Sequence, residues 1–168
     1  MSKSEKETAM FCEHCGETDG EETGIDHDER DCPWYATEDS WTADDLEGVL
    51  RQTASGIPPL TAAVELLSTH GTWLPRLAER DDLMVADGET GEVYDLDWAA
   101  LAEAANGSQL AASGSELRIL AIAASLADSR VPVRLGDALT GLDAINLGRV
   151  LKAIATANGR PEAGERHV

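Results

Sequence analysis

One phenylalanine, two tyrosines, three cysteines and three lysines are all that 168 residues supply of those types. Each scarcity excludes something. The cysteines all fall within the first 32 residues and are odd in number. The opening MSKSEKETAM has no apolar core of a secretory signal, so a reducing compartment is expected, with the thiols as metal ligands or free groups, not a disulfide framework. No run of eighteen apolar residues occurs, which argues against a membrane partner and for a cytoplasmic location. Basic residues are also scarce: thirteen Lys and Arg stand against thirty-two Asp and Glu, a net charge of −19. Non-specific affinity for nucleic acid comes mainly from Lys and Arg displacing counterions, so direct nucleic-acid binding is disfavoured. A protein with a basic surface is the partner this charge favours; the plainer reading is an acidic, solubilising exterior.

What remains is enough for a core. A 42% hydrophobic and 27% charged chain of this length is ordinary for a globular domain. Its acidity is local. Residues 1–50 carry sixteen acids against Lys3, Lys6 and Arg30, whereas Arg130 to Val168 carry six bases against four acids. The chain divides into a flexible tail (1–10), an acidic module (11–40), a helical globular domain (41–158) and a second flexible tail (159–168).

Hydrophobic period and capping residues predict a mainly α fold with one short β-hairpin. Thr42 caps a helix through ADDLEGVLRQT, with Asp44 and Asp45 against the positive end of its dipole. Leu60 to His70 forms a second helix stopped by Gly71, with Val64, Leu66 and Leu67 inward. A short helical or turn segment follows, broken near Pro75. Leu83–Val85 and Val93–Leu96 flank the turn-rich DGETGE as a hairpin. Asp97 caps a helix ending at Asn106 and Gly107. Ser113 with Glu116 has capping-box spacing before a helix that is apolar on nearly every side and therefore buried. After a turn near Asp137 to Leu139, a last helix from about Asp143 to Asn158 presents Ala144, Leu147, Leu151 and Ile154 as one apolar stripe, with Arg149, Lys152 and Thr156 on another face.

The strongest chemical motif is FCEHCGETDGEETGIDHDERDCPWY, Phe11 to Tyr35. Cys12 and Cys15 form a C-x2-C knuckle closed by Gly16, and His27 and Cys32 follow with four residues between them. Two thiolates from one tight turn plus a second nearby pair suit the tetrahedral preference of zinc. His14 competes for the fourth position, but a ring between the knuckle cysteines points away from the ion, so His27 is preferred. A segment this acidic has too little apolar area to offset its ordering entropy, and a bound metal supplies the missing free energy. With all four positions filled, the zinc is structural and not catalytic. The ligand spacing resembles that of small zinc-knuckle and zinc-ribbon modules, over some twenty residues.

A second stretch, Ala112 to Asp143, resembles the signature helix and D-loop of ABC-type ATPases. Gly136 stands where that resemblance requires a Mg²⁺-binding Asp, and only Asp137 falls on the catalytic acid's position. No phosphate-binding G-x4-GK[ST] loop occurs, so the likeness is assigned to helix-capping chemistry. Trp34, Trp41, Trp73 and Trp98 serve as core, the first two folding over the acidic module or docking it onto the helices, or else as an exposed recognition surface. His70 sits at a helix end, Asp81 and Asp82 in a polar turn, and no G-x-S-x-G elbow occurs. The expectation is a non-enzymatic interaction module, an adaptor or an inhibitor that mimics DNA, with a structural zinc. The alternative is a nucleic-acid-associated regulator using the zinc module or Arg149 and Lys152 of the last helix.

Overall fold

The structure is a computed structural model that describes residues 41–107 and 109–164. These residues are mainly helical and carry one two-stranded antiparallel hairpin. The elements run α1 (Ala43–Thr53), α2 (Pro58–His70), α3 (Trp73–Leu77), a 3₁₀ turn (Asp81–Leu83), β1 (Met84–Ala86), β2 (Val93–Leu96), α4 (Trp98–Asn106), α5 (Gly114–Ala127), α6 (Leu135–Leu139), α7 (Ala144–Ala157) and α8 (Pro161–Gly164).

Most helix starts are written in capping side chains. The Thr42 hydroxyl accepts from the Asp45 backbone N–H and the Asp45 carboxylate accepts from the Thr42 N–H, closing a capping box on α1. Ser113 and Glu116 do the same for α5, Asp97 caps α4 through the N–H groups of Ala99 and Ala100, and Asp143 caps α7 through Asn146. Prolines locate the other starts. Helix α2 begins at Pro58, two residues before the expected Leu60, because Pro58 and Pro59 occupy first-turn positions that need no N–H donor. For the same reason Pro75 lies inside the first turn of α3 and does not break it. Gly71, with φ of 78°, ends α2 in a left-handed conformation that a side chain would strain.

Helix α2 runs through the centre. Leu60, Ala62, Ala63, Val64, Leu66 and Leu67 are all buried, and it packs against both α5 and α7. Helix α5 contributes Ile119, Leu120, Ile122, Ala123 and Ala124, and α4 closes its other side with Trp98, Leu101 and Ala105. Helix α1 lies on α3 and β2 through Leu46 and Leu50. Trp73, fully buried, donates its indole N–H to the Glu116 carbonyl at 3.2 Å, which ties α3 to the start of α5. Trp98 donates to the Asp95 carboxylate at 3.0 Å, and Trp41 packs on the core half-buried. Burying an aromatic ring contributes on the order of 2–3 kcal/mol only while its polar atom keeps a partner, and both buried indoles do. The hairpin pairs Met84 with Leu96 and Val85 with Asp95, with an irregularity before Ala86 and Val93. It is fastened to α1 where the Thr53 hydroxyl donates to the Tyr94 carbonyl. Among the described residues no helix is long and apolar enough to cross a membrane.

Candidate interaction surface

Helix α7 carries two different faces, and the sequence pattern alone does not say which of them packs inside. Leu147, Leu151 and Ile154 recur at the spacing of an apolar stripe. In the structure they are 38%, 41% and 44% exposed, and Ile145 is 70% exposed. The inward face is instead Asn146, Val150, Ala153 and Thr156, with Val150 fully buried. The physical reason lies in α2, whose flank carries small residues between its leucines. Small side chains on the facing helix permit a close axis-to-axis approach, and a hydrogen-bonding corner at the start of α7 fixes its rotation.

That corner is built around Asn146, which is 8% exposed. Its amide donates to the Asp143 carboxylate at 2.9 Å and to the Ser115 hydroxyl of α5 at 3.3 Å, while its carbonyl accepts from the Arg149 guanidinium at 2.8 Å. All the amide's hydrogen-bonding sides are engaged; two of the bonds stay within α7 and its cap, and the one to Ser115 ties α7 to α5 and would break if α7 turned to bury Leu147. Nearby, Glu116 meets Arg76 at 3.7 Å, and Arg76 lies 5.6 Å from the Trp73 ring centre. His70, at the end of α2, has a shielded Nδ1 with no hydrogen-bond partner among the described residues. Burial holds its imidazole below the ordinary range, assisted by Arg149 and opposed by Glu116 and Asp143. The corner therefore contains His70, two carboxylates and two guanidinium groups, but its hydrogen bonds lock helices together.

Outside α7 the aliphatic side chains form an open groove of about 590 Å³. Ala144 and Gly148 make a shallow floor, Leu147 and Leu151 one ridge, and Ile145 with Lys152 the other, with Thr69 of α2 and Arg149 at the edge. Four of the seven large hydrophobic residues exposed among the described ones lie on this one helix. Single exposed aliphatics are ordinary; a cluster on one face marks an interaction site. Sequence reasoning found the stripe of Ala144, Leu147, Leu151 and Ile154 but missed Ile145 and gave the stripe no direction, because hydrophobicity alone does not distinguish a face that packs inside from one left outside.

A second groove, about 550 Å³, lies between α4, α5 and α6. Arg118 and Arg134 line it above apolar residues such as Leu117 and Val133. The Arg118 Nε donates to the Asp137 carbonyl at 3.2 Å. Asp137, the residue on the position of an ATPase acid, sits in the first turn of the five-residue α6, which provides no phosphate cradle.

The four expected zinc ligands, Cys12, Cys15, His27 and Cys32, lie outside the described residues, as do His14, Trp34 and the whole acidic module. Among the described residues no group of three or more His, Cys, Asp or Glu side chains is placed to hold a metal. No family model, curated protein or solved structure matches this chain.

Proposed function

We propose that this protein is a non-enzymatic interaction module: an acidic segment organised by a structural zinc on Cys12, Cys15, His27 and Cys32, followed by a helical domain that offers α7 to a protein partner. The observation that carries the second half is the outward aliphatic face of α7. A fold with adequate leucine for its own core leaves four branched aliphatics in water on one helix, at a cost that association removes. The acidic segment supports a complementary role. Sixteen carboxylates in the first fifty residues favour encounter with a basic protein surface and disfavour phosphate. The two features make an adaptor or inhibitor with two chemically distinct surfaces.

Photo-crosslinking tests the α7 part. A benzophenone amino acid replaces Leu151 on the proposed face and, as a control, Gln52 on the exposed side of α1. Position 151 is expected to give one discrete protein adduct that is weakened by Leu147→Ser, and position 52 none. Absence of any adduct from 151, or equal diffuse labelling from both positions, overturns the reading.

A further inference from the structure

We propose that the groove between α4, α5 and α6 binds a monocarboxylate carried on an apolar body, with the Arg118 guanidinium as the fork that holds the carboxylate. This site is separate from the α7 face and does not depend on it.

Arg51, Arg76, Arg80 and Arg130 each meet a carboxylate. Arg118 and Arg134 meet none among the described residues, although the chain carries thirty-two acids, and both line this groove. Asp137 lines it too, and its carboxylate pairs with neither of them. Arg118 is the half-buried one of the two, and it is held in place. Its Nε donates to the Asp137 carbonyl at 3.2 Å. Its guanidinium packs against Gly114 of α5 and Gly141 of the α6–α7 turn, where an added Cβ would stand 3.1 Å and 3.6 Å from Nη1. Two positions without side chains thus leave room for the guanidinium, while Nη1 and Nη2 make no hydrogen bond among the described residues. A guanidinium offers its N–H donors in a planar fork that matches a carboxylate, so a fixed, half-buried fork with no acid beside it is prepared for an anion from outside.

The remaining lining selects what the carboxylate is attached to. The volume of about 550 Å³ falls within the range of small-ligand clefts. Ala105 and Ala121 keep the groove open because their side chains are small, and Leu117, Val131 and Val133, all half-buried, offer apolar contact. A hydrocarbon chain laid against them leaves water, which a bare anion does not. Charge sets the valence of the anion. Two guanidinium groups against the one carboxylate of Asp137 leave a surplus of one positive charge, which a monocarboxylate neutralises and a phosphate dianion would exceed.

The probe is octanoate, titrated into the isotope-labelled full chain and followed by amide chemical shifts. A dissociation constant on the order of 1 mM is expected for a ligand of about ten heavy atoms in an open groove, with shifts at Leu117, Ala121 and Val133 and none at Leu151. Acetate, which lacks the chain, and octane-1,2-diol, which lacks the charge, are each expected to bind at least about tenfold more weakly. Arg118→Gln removes the fork and Ala121→Phe fills the groove; each is expected to weaken octanoate at least about tenfold with the circular dichroism spectrum unchanged. Arg134 is exposed and its side chain makes no hydrogen bond among the described residues, so Arg134→Gln spares the fold and is expected to weaken octanoate at least about threefold. The absence of groove shifts at about 10 mM octanoate overturns the proposal, as does equal affinity for the diol or undiminished binding by folded Arg118→Gln and Arg134→Gln. Tighter binding of octyl phosphate overturns the monocarboxylate assignment. Shifts centred on α7 in place of the groove overturn the site and leave the α7 reading as it stands.

Discussion

Replacing Val150 and Leu151 one at a time by alanine separates the inside of α7 from its outside. The two positions are adjacent, so helix propensity changes little between them, yet Val150 is fully buried and Leu151 is 41% exposed. Val150→Ala removes two buried methyl groups, worth about 0.8 kcal/mol each in transfer, and leaves a space that neighbouring helices fill only in part; the expected loss is about 2 kcal/mol. Leu151→Ala removes more carbon, but from a side chain largely in water, and the expected change is within about 0.5 kcal/mol of zero. The larger residue is thus the cheaper one to truncate. The assay is urea denaturation followed by circular dichroism. An unchanged denaturant slope shows that the difference lies in stability and not in a changed unfolded state. If Leu151→Ala costs more than Val150→Ala, α7 is turned the other way, and the proposed α7 surface falls.

Two further outcomes follow from other parts of the molecule. His70 is held below its ordinary pKa of 6.5, so the folded state binds fewer protons than the unfolded state as the solution becomes acidic. Its contribution to stability is present above about pH 6.5 and is lost as pH falls toward the lowered folded value, before the carboxylates of Glu116 and Asp128, themselves held low by hydrogen bonds, begin to titrate. The stability difference between pH 7.5 and 5.5 is therefore expected to shrink in His70→Gln; an unchanged difference shows that His70 is as protonatable folded as unfolded. For the acidic segment, elemental analysis of protein prepared without chelator is expected to find one zinc per chain, absent in Cys15→Ser, and no zinc in the parent refutes the proposed ligand set.

Much of the helical architecture was legible because it is written locally. Thr42, Asp97, Ser113 and Asp143 each cap the helix that the sequence assigns to them, and Gly71 ends α2 as its position implies. Local steric rules also account for the two differences at prolines, since a first-turn proline starts a helix and an interior one breaks it, and spacing alone did not separate the cases at Pro59 and Pro75. The orientation of α7 was not legible for a different reason. Two stripes alternate along AINLGRVLKAIATA, one bulky and one small, and the choice between them depends on Asn146 finding Ser115 thirty-one residues earlier. Packing against the small residues of α2 acts together with that contact, and neither is visible in the pattern of α7 alone. The surplus of aliphatic side chains was visible in the sequence; that they face outward became visible only once the inside was full.

The claim that these side chains serve association and not folding is tested most directly by the triple variant Leu147→Ser, Leu151→Ser, Ile154→Ser with the photo-crosslinking residue at position 145, measured for adduct and urea midpoint in the same preparation. A fold that still unfolds cooperatively, with association lost, is the predicted result. Association unchanged in a folded triple variant, or collapse of the fold itself, contradicts the account.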